Sequence, residues 1–474
     1  MNGIKQTQGG IKSDTGKETR GFSATDSGQI PHKNVISREI HQSHQTAGIM
    51  SFSAPRSTAQ IFKTVVESSS GTHDLVCLSH LRWDFVYQRP QHILSRCAKE
   101  RRVFFFEEPI FDESIEPRLE MSEREDGLCI VVPHLPESYR EDAQQLDAVQ
   151  KLLIDRLFDE QGIDEHILWY YTPMALGFTR HLQPSAVVYD CMDELSAFKN
   201  APPTLKSREA ELFRRTDLVF TGGQSLYEAK RNQHPHVYAF PSSIDTEHFM
   251  QARGIADDPA DQASIAHPRM GFCGVIDERL DLELLDGAAE ARPDWQFVMI
   301  GPVVKIDPAS LPRRANIHYL GGKNYKELPA YMSGWDVALM PFARNESTRF
   351  ISPTKTPEYL AAGCPVVSTS IRDVVRPYGQ QKMVHIADTV ADFVAGIEAA
   401  MQENADERLR RADAFLAQNS WRLTWSRMSE LIEGVVARHD SSVNAAATMP
   451  LRARAAAAGA TTAAAMTNSF ASGD

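Results

Sequence analysis

Two residues with opposite charge, Lys355 and Glu358, stand in one turn's reach in Ser352-Pro-Thr-Lys-Thr-Pro-Glu-Tyr-Leu-Ala-Ala-Gly-Cys-Pro-Val-Val-Ser-Thr369. The stretch reads as a loop, a short helix and a strand. Thr356 is the expected N-cap and Pro357 the first helical residue, where a missing N–H costs nothing. Gly363 suits the left-handed cap that ends a helix. Cys364 to Thr369 is a short apolar run, as in a strand covered on both faces. Lys355 therefore stands at a helix entrance, where free N–H groups and the helix dipole favour an anion. Glu358 brings a carboxylate, which accepts from two neighbouring hydroxyls at once. A phosphate-attracting end beside a hydroxyl-binding carboxylate suits a nucleotide sugar.

The elements needed to position these residues are visible across the chain. Short apolar runs alternate with amphipathic stretches, which implies an α/β fold of parallel sheets with helices on both faces. Strands are expected at Asp74–Leu78, Val103–Glu107, Leu128–Val132, Ile167–Tyr171, Ala186–Asp190, Leu218–Thr221 and Val237–Phe240. A second series is expected at Met270–Val275, Gln296–Ile300, Ile317–Leu320, Val337–Pro341, Pro365–Thr369 and Met383–Ile386. Trp421, Trp425, Met428, Ile432 and Val435 recur at helical spacing and give the last helix one apolar face.

The ordered series resembles a known family. Pro-x-Lys-x-x-Glu-Tyr-Leu-Ala-Ala-Gly-x-Pro-Val-Val-Ser-Thr is similar to the donor-site signature of GT-B glycosyltransferases of the family 4 type. Gly271-Phe-Cys-Gly-Val-Ile-Asp-Glu-Arg-Leu-Asp281 resembles the opening of their donor domain. Trp295-Gln-Phe-Val-Met-Ile-Gly-Pro302, Asn316-Ile-His-Tyr-Leu-Gly-Gly322 and Asp336-Val-Ala-Leu-Met-Pro-Phe342 follow in the family's order. The resemblance covers roughly Thr72 to His439. It implies two Rossmann-like domains facing a cleft: an acceptor domain over 71–245 and a donor domain over 246–419. Pro241-Ser-Ser-Ile-Asp245 takes the place of the linker, and a helix over 420–440 crosses back to the first domain.

Candidate site residues follow from both readings. On the donor side, Arg279 and Lys355 are candidates to neutralise a diphosphate, which in the family often makes a divalent metal unnecessary. The alternative for Arg279 is a surface pairing with Asp277 or Asp281. Glu358 matches the family's ribose-binding carboxylate; otherwise it complements the helix dipole. Ser352 and Thr354 either donate to phosphate or cap the helix. Gly321, Gly322 and Tyr325 form a loop where the family binds the base, with Tyr325 available to stack; the alternative is a plain turn. One departure is clear: eight positions before Glu358, where many relatives have a second glutamate, stands Phe350. Asn345, Glu346, Ser347 and Thr348 are the polar residues nearby.

On the acceptor side, Ser79-His-Leu-Arg-Trp-Asp-Phe-Val-Tyr-Gln-Arg-Pro-Gln-His92 is a dense polar and aromatic loop after the first strand. Trp83 and Tyr87 are candidate sugar-stacking rings; Arg82, Gln88 and Arg89 are candidates to hold acceptor hydroxyls or a lipid phosphate. Arg89-Pro-Gln-His92 alternatively caps and packs a helix. Asp190 and Asp193 follow a strand and are candidates to orient an acceptor hydroxyl or take its proton, with His80 the rival base.

Composition sets bounds. The chain has 474 residues, 42% hydrophobic, with formal net charge −12. The acidic balance argues against a dedicated nucleic-acid binder. Six cysteines lie far apart with no Cys-x-x-Cys pair, which suggests buried thiols of a cytosolic protein and no zinc site. No secretory segment and no membrane-spanning run is read, so the expectation is a cytoplasmic protein in peripheral contact with a membrane at most. Basic clusters at Lys99–Arg102 and Arg208–Arg215 either complement helix ends or dock on anionic lipid. Residues 1–70 and the Ala-rich 441–474 read as disordered tails. The expected partners are a UDP- or GDP-linked sugar donor and a glycan or lipid-linked acceptor, with no metal or other cofactor. The rival readings are a non-catalytic nucleotide-sugar-binding partner of another enzyme and a nucleotide-sugar epimerase or hydrolase. No phosphate loop, protease triad or redox fingerprint is present.

Overall fold

A computed structural model describes residues 73–448, apart from 114–115 and 125–126, with side chains as far as Ala445. The apolar runs of the first half become β1 (Asp74–Leu78), β2 (Val103–Phe106), β5 (Leu128–Pro136), β6 (His166–Tyr170), β7 (Ala186–Cys191), β8 (Leu218–Thr221) and β9 (Val237–Ala239). Two more strands, β3 (Ile110–Asp112) and β4 (Arg118–Glu123), were not expected. In β4 only Leu119 and Met121 pack inward, alternating with exposed residues, so no apolar run marks it. The sheet order is β3-β5-β2-β1-β6-β7-β8-β9, with β4 antiparallel on β5 and the other pairs parallel.

The second half forms β10 (Arg269–Cys273), β11 (Gln296–Ile300), β12 (Ile317–Gly321), β13 (Val337–Met340), β14 (Val366–Ser368) and β15 (His385–Ile386). They make one parallel sheet in the order β12-β11-β10-β13-β14-β15. Both sheets belong to one compact unit.

Alternation along each strand feeds two cores per sheet. In β1, Leu75 and Cys77 join one apolar cluster while Val76 and Leu78 join the other. The helix Trp421–Thr448 places Trp421, Trp425, Met428, Ile432 and Val435 in the same cluster as Leu75, Ile93 and Trp169. Trp425 Nε1 donates to Glu100 Oε1 at 2.8 Å. The chain thus returns to the first sheet after completing the second. This helix runs eight residues into the segment expected to be a tail, since alanine after Asn444 is a strong helix former. The rest of both expected tails lies outside the described residues. All six cysteines are buried free thiols, and no described helix is long and apolar enough to cross a membrane.

Candidate functional site

In an open parallel sheet, ligands bind beyond the carboxyl ends of the strands where the strand order reverses. That point lies between β1 and β6 in the first sheet and between β10 and β13 in the second. The loops that follow these strands carry most of the candidate residues.

After β13 the chain runs to the helix Lys355–Ala362. The helix begins earlier than the sequence suggested: Thr354, not Thr356, holds the N-cap position, and its side chain makes no capping bond. Thr356 is fully buried, with its hydroxyl 3.4 Å from Met340 Sδ. Pro357 falls at the third helical position, where its lack of an N–H is still harmless because the first four N–H groups have no partner within a helix. Gly363 ends the helix with φ +89°. Lys355 Nζ meets Glu358 Oε2 at 2.5 Å, and Glu358 is only 5% exposed. Burial pushes the Glu358 carboxyl above its ordinary value while the Lys355 ammonium pulls against it. Burial also works against the charge on Lys355, but Glu358 outweighs it and holds the ammonium. Ser352 contributes its carbonyl to the linker, accepting from Ser242 Oγ at 2.7 Å.

Beyond β12, Gly321 has φ +70° and Gly322 is exposed. Tyr325 does not offer an open face to a base. Its ring is sandwiched between Tyr87 (centroids 4.4 Å apart) and His248 (4.3 Å). Its hydroxyl is enclosed with no hydrogen-bond partner among the described residues. The expected base stacking on Tyr325 is therefore blocked in this arrangement by rings from both sides.

The acceptor-side candidates divide. Trp83 is a core residue, edge-on to Phe105 at 5.1 Å and 8% exposed, so it presents no sugar-stacking surface. Arg82 is engaged by Glu107 Oε2 at 2.8 Å and by the carbonyls of Glu108 and Pro109. Gln88 is the N-cap residue of the helix Arg89–Cys97, its N–H donating to Gln91 Oε1 at 3.0 Å. Arg89 and Asp190 form a buried two-pronged pair at 2.8–3.1 Å, and Arg89 Nη1 also donates to Phe240 O at 2.7 Å. With Asp190 at 0% exposure, neither of them reaches a substrate; together they position the loop after β1 against the end of β7. Tyr87 is exposed at the cleft, on the Tyr325 ring.

His80 and Asp193 feel the charges of groups from the second half. Burial, then the Lys305 ammonium, pull the His80 ring down to about 4, with a backbone hydrogen bond at Tyr171 opposing. Burial raises the Asp193 carboxyl, against the attraction of Arg279 and Lys305. Arg279 itself forks onto Asp277 at 2.8–3.1 Å, the pairing read as the alternative from the sequence. It also lies 5.9 Å from the Phe198 ring centroid, with Lys305 Nζ at 5.2 Å from the same ring. Lys305 and Phe198 were not singled out from the sequence. The available signal was the place of Lys305 just after β11. Glu278 was missed too: both of its carboxylate oxygens are enclosed with no hydrogen-bond partner among the described residues. Phe350 packs on the first sheet's core, so the residue at the usual glutamate position is a contact between the two halves.

Two constellations result. One holds Lys355, Glu358, Tyr325 and His248; the other holds His80, Asp193, Phe198, Arg279 and Lys305. A separate hollow of about 490 Å³ lies by His73, Asp74, Glu165 and His439. It sits at the amino ends of β1 and β6, the wrong end of the sheet for a ligand of this architecture.

Comparison with known proteins bears on these constellations. Residues 267–403 match the family model described as Glycosyl transferases group 1. The chain is 28% identical over 281 residues to the putative teichuronic acid biosynthesis glycosyltransferase TuaH of Bacillus subtilis (strain 168), covering 54% of this chain and 68% of the relative. Among solved structures, sucrose-phosphate synthase from Thermosynechococcus elongatus superposes with a TM-score of 0.60 at 12% identity, over 77% of this chain and 100% of that one. A structure from E. coli, described as trehalose-6-phosphate bound with UDP-2-fluoro glucose, superposes with a TM-score of 0.58 at 13% identity, over 76% of this chain and 98% of that one. The architecture shared with these structures is GT-B.

Proposed function

We propose that this chain, a GT-B glycosyltransferase, transfers a sugar from a UDP- or GDP-linked donor to a glycan or lipid-linked acceptor in cell-surface polysaccharide synthesis. The observation that carries the donor reading is the enclosed Lys355–Glu358 pair at the helix entrance, within the segment that matches the family model. A diphosphate placed there takes Lys355 from Glu358 and leaves the carboxylate free for ribose hydroxyls. Arg279 supplies a second cation for the leaving diphosphate, charge that develops as the glycosidic bond breaks. With these two cations the transfer proceeds without a divalent metal. His80 and Asp193 face the donor residues from the acceptor side and orient the attacking hydroxyl. Transfer retains the anomeric configuration, a reading drawn from the family resemblance alone. The teichuronic acid relative favours the polysaccharide setting, with the protein working at the cytosolic face of the membrane.

Thermal melting with UDP, GDP, ADP and their common sugars tests this. A ligand at ~100 times its dissociation constant stabilises the fold by ~2.7 kcal/mol. One nucleotide class should raise the melting temperature, and Lys355→Ala and Glu358→Gln, checked by circular dichroism to be folded, should abolish the rise. Transfer of labelled sugar in EDTA should continue. No stabilisation by any of these nucleotides sinks the donor-site reading. Binding without transfer to any acceptor favours a non-catalytic binding partner.

A further inference from the structure

Lys305 stands out as a cation that closes no salt bridge among the described residues; the Asp193 carboxylate feels its charge without pairing with it. It follows β11 in a loop held firmly against the β10 loop: Ile276 N donates to Pro302 O at 2.9 Å and Val304 N to Ile276 O at 3.0 Å. Gly301 makes that approach feasible, because a Cβ there would lie 1.8 Å from Gly274 O. The loop delivers Lys305 in a left-handed backbone conformation, φ +63°. That conformation is costly for a residue with a side chain and gathers at ligand sites. Lys305 is exposed, and no ion pair to it is formed among the described residues. Its neighbour Arg279 differs, since its fork is already closed on the buried Asp277. Both cations lie over Phe198, which comes from the opposite half of the molecule. Lys305 also acts electrostatically on His80 and Asp193 across the same gap. A lysine kept only for solubility has no need of a strained backbone, a pinned loop and an aromatic rest in the cleft.

We propose that Lys305 is a substrate-binding residue whose ammonium, beside Arg279 on Phe198, receives an anionic oxygen group of the donor. This rests on the donor reading above. Two sources carry that chemistry: a phosphoryl oxygen of the diphosphate, and a carboxylate on the transferred sugar. Phe350 sharpens the question, because the position where relatives place a carboxylate near the donor sugar is apolar here, while Lys305 adds a positive charge.

Calorimetric titration of the full chain and of Lys305→Gln and Lys305→Arg separates the outcomes. The probes are UMP, UDP, UDP-glucose and UDP-glucuronate, or the guanosine series if the wild type prefers it. Melting temperatures confirm that each variant folds. Lys305→Gln should weaken at least one probe tenfold or more, and Lys305→Arg should restore most of the loss. If UDP weakens and UMP does not, the diphosphate is the source. If UDP and UDP-glucose are unchanged and UDP-glucuronate weakens, the source is the sugar carboxylate. All affinities within twofold of wild type, with binding still lost in Lys355→Ala, overturn the assignment of Lys305 and leave the donor site standing. A wild type that binds none of the probes removes both.

Discussion

His80 shows how a single residue ties stability to the site. Its folded value of about 4 lies below the ordinary 6.5, so the unfolded chain binds more protons between those values. The stability linked to neutral His80 is therefore fully present at neutral pH and is lost as pH falls from about 6.5 towards 4. The full shift, from 6.5 to about 4, corresponds to an upper bound of roughly 3–4 kcal/mol. His80→Gln should flatten this part of the urea-stability curve between pH 7 and pH 4.5 relative to wild type; an unchanged slope would place the effect on other buried histidines such as His92 and His166. At neutral pH the ring is uncharged and resists protonation, so what it offers a neighbour is a hydrogen bond rather than a strong base. Arg89 and Asp190 make the opposite point. Asp190 attracted a catalytic reading and Arg89 an acceptor-binding one, yet the two charges are spent on each other, and removing one alone strands a buried charge.

At the scale of elements, the last helix matters to the first sheet more than to the sheet it follows. Met428 is completely buried in the cluster it shares with Leu75 and Trp169. Met428→Ala should cost ~2–5 kcal/mol, the range for emptying a packed core position. Urea melts followed separately for the two halves would show the first half losing the stability; loss confined to the second half would contradict the packing. The helix Lys355–Ala362 teaches a related lesson about boundaries. The N-cap read at Thr356 falls two residues too late: Thr354 holds that position, and Thr356 is a buried residue of the first helical turn. Lys355 is thereby brought onto the same helical turn as Glu358, which is what allows the pair to close.

For the molecule as a whole, the two halves touch at several specific places. Asp373 Oδ1 accepts the Ser225 N–H at 2.9 Å, and Ser242 reaches Ser352. Gly223 lies at the first of these contacts with an extended backbone that any residue adopts. A Cβ there would lie 2.3 Å from Asp373 Oδ2 and 2.9 Å from the Ser352 Cβ. Gly223→Ala should therefore act by sterics between the halves alone. Small-angle scattering should show a larger radius of gyration, and the Ser225 amide should exchange faster. An unchanged radius and exchange rate would mean that the contact does not hold the cleft at this width.

The sequence by itself determined the α/β class, nearly every strand of both sheets and the placing of Lys355 and Glu358 together at a helix entrance. These rest on local signals: apolar runs of strand length, helix-capping residues and one contiguous motif. β3 and β4 escaped because short or half-exposed strands leave too few apolar residues in a row. Which charged residues remain available to a ligand was decided only by tertiary structure. Asp190 and Arg89 are 101 positions apart, and Lys305 acts electrostatically on His80 from 225 positions away in the chain, so no local pattern could tell the charge closed in a pair from the one that is not. The same holds for Trp83 and Tyr325. An aromatic residue in a loop reads alike whether its faces are open or covered, and the covering rings come from elsewhere in the chain.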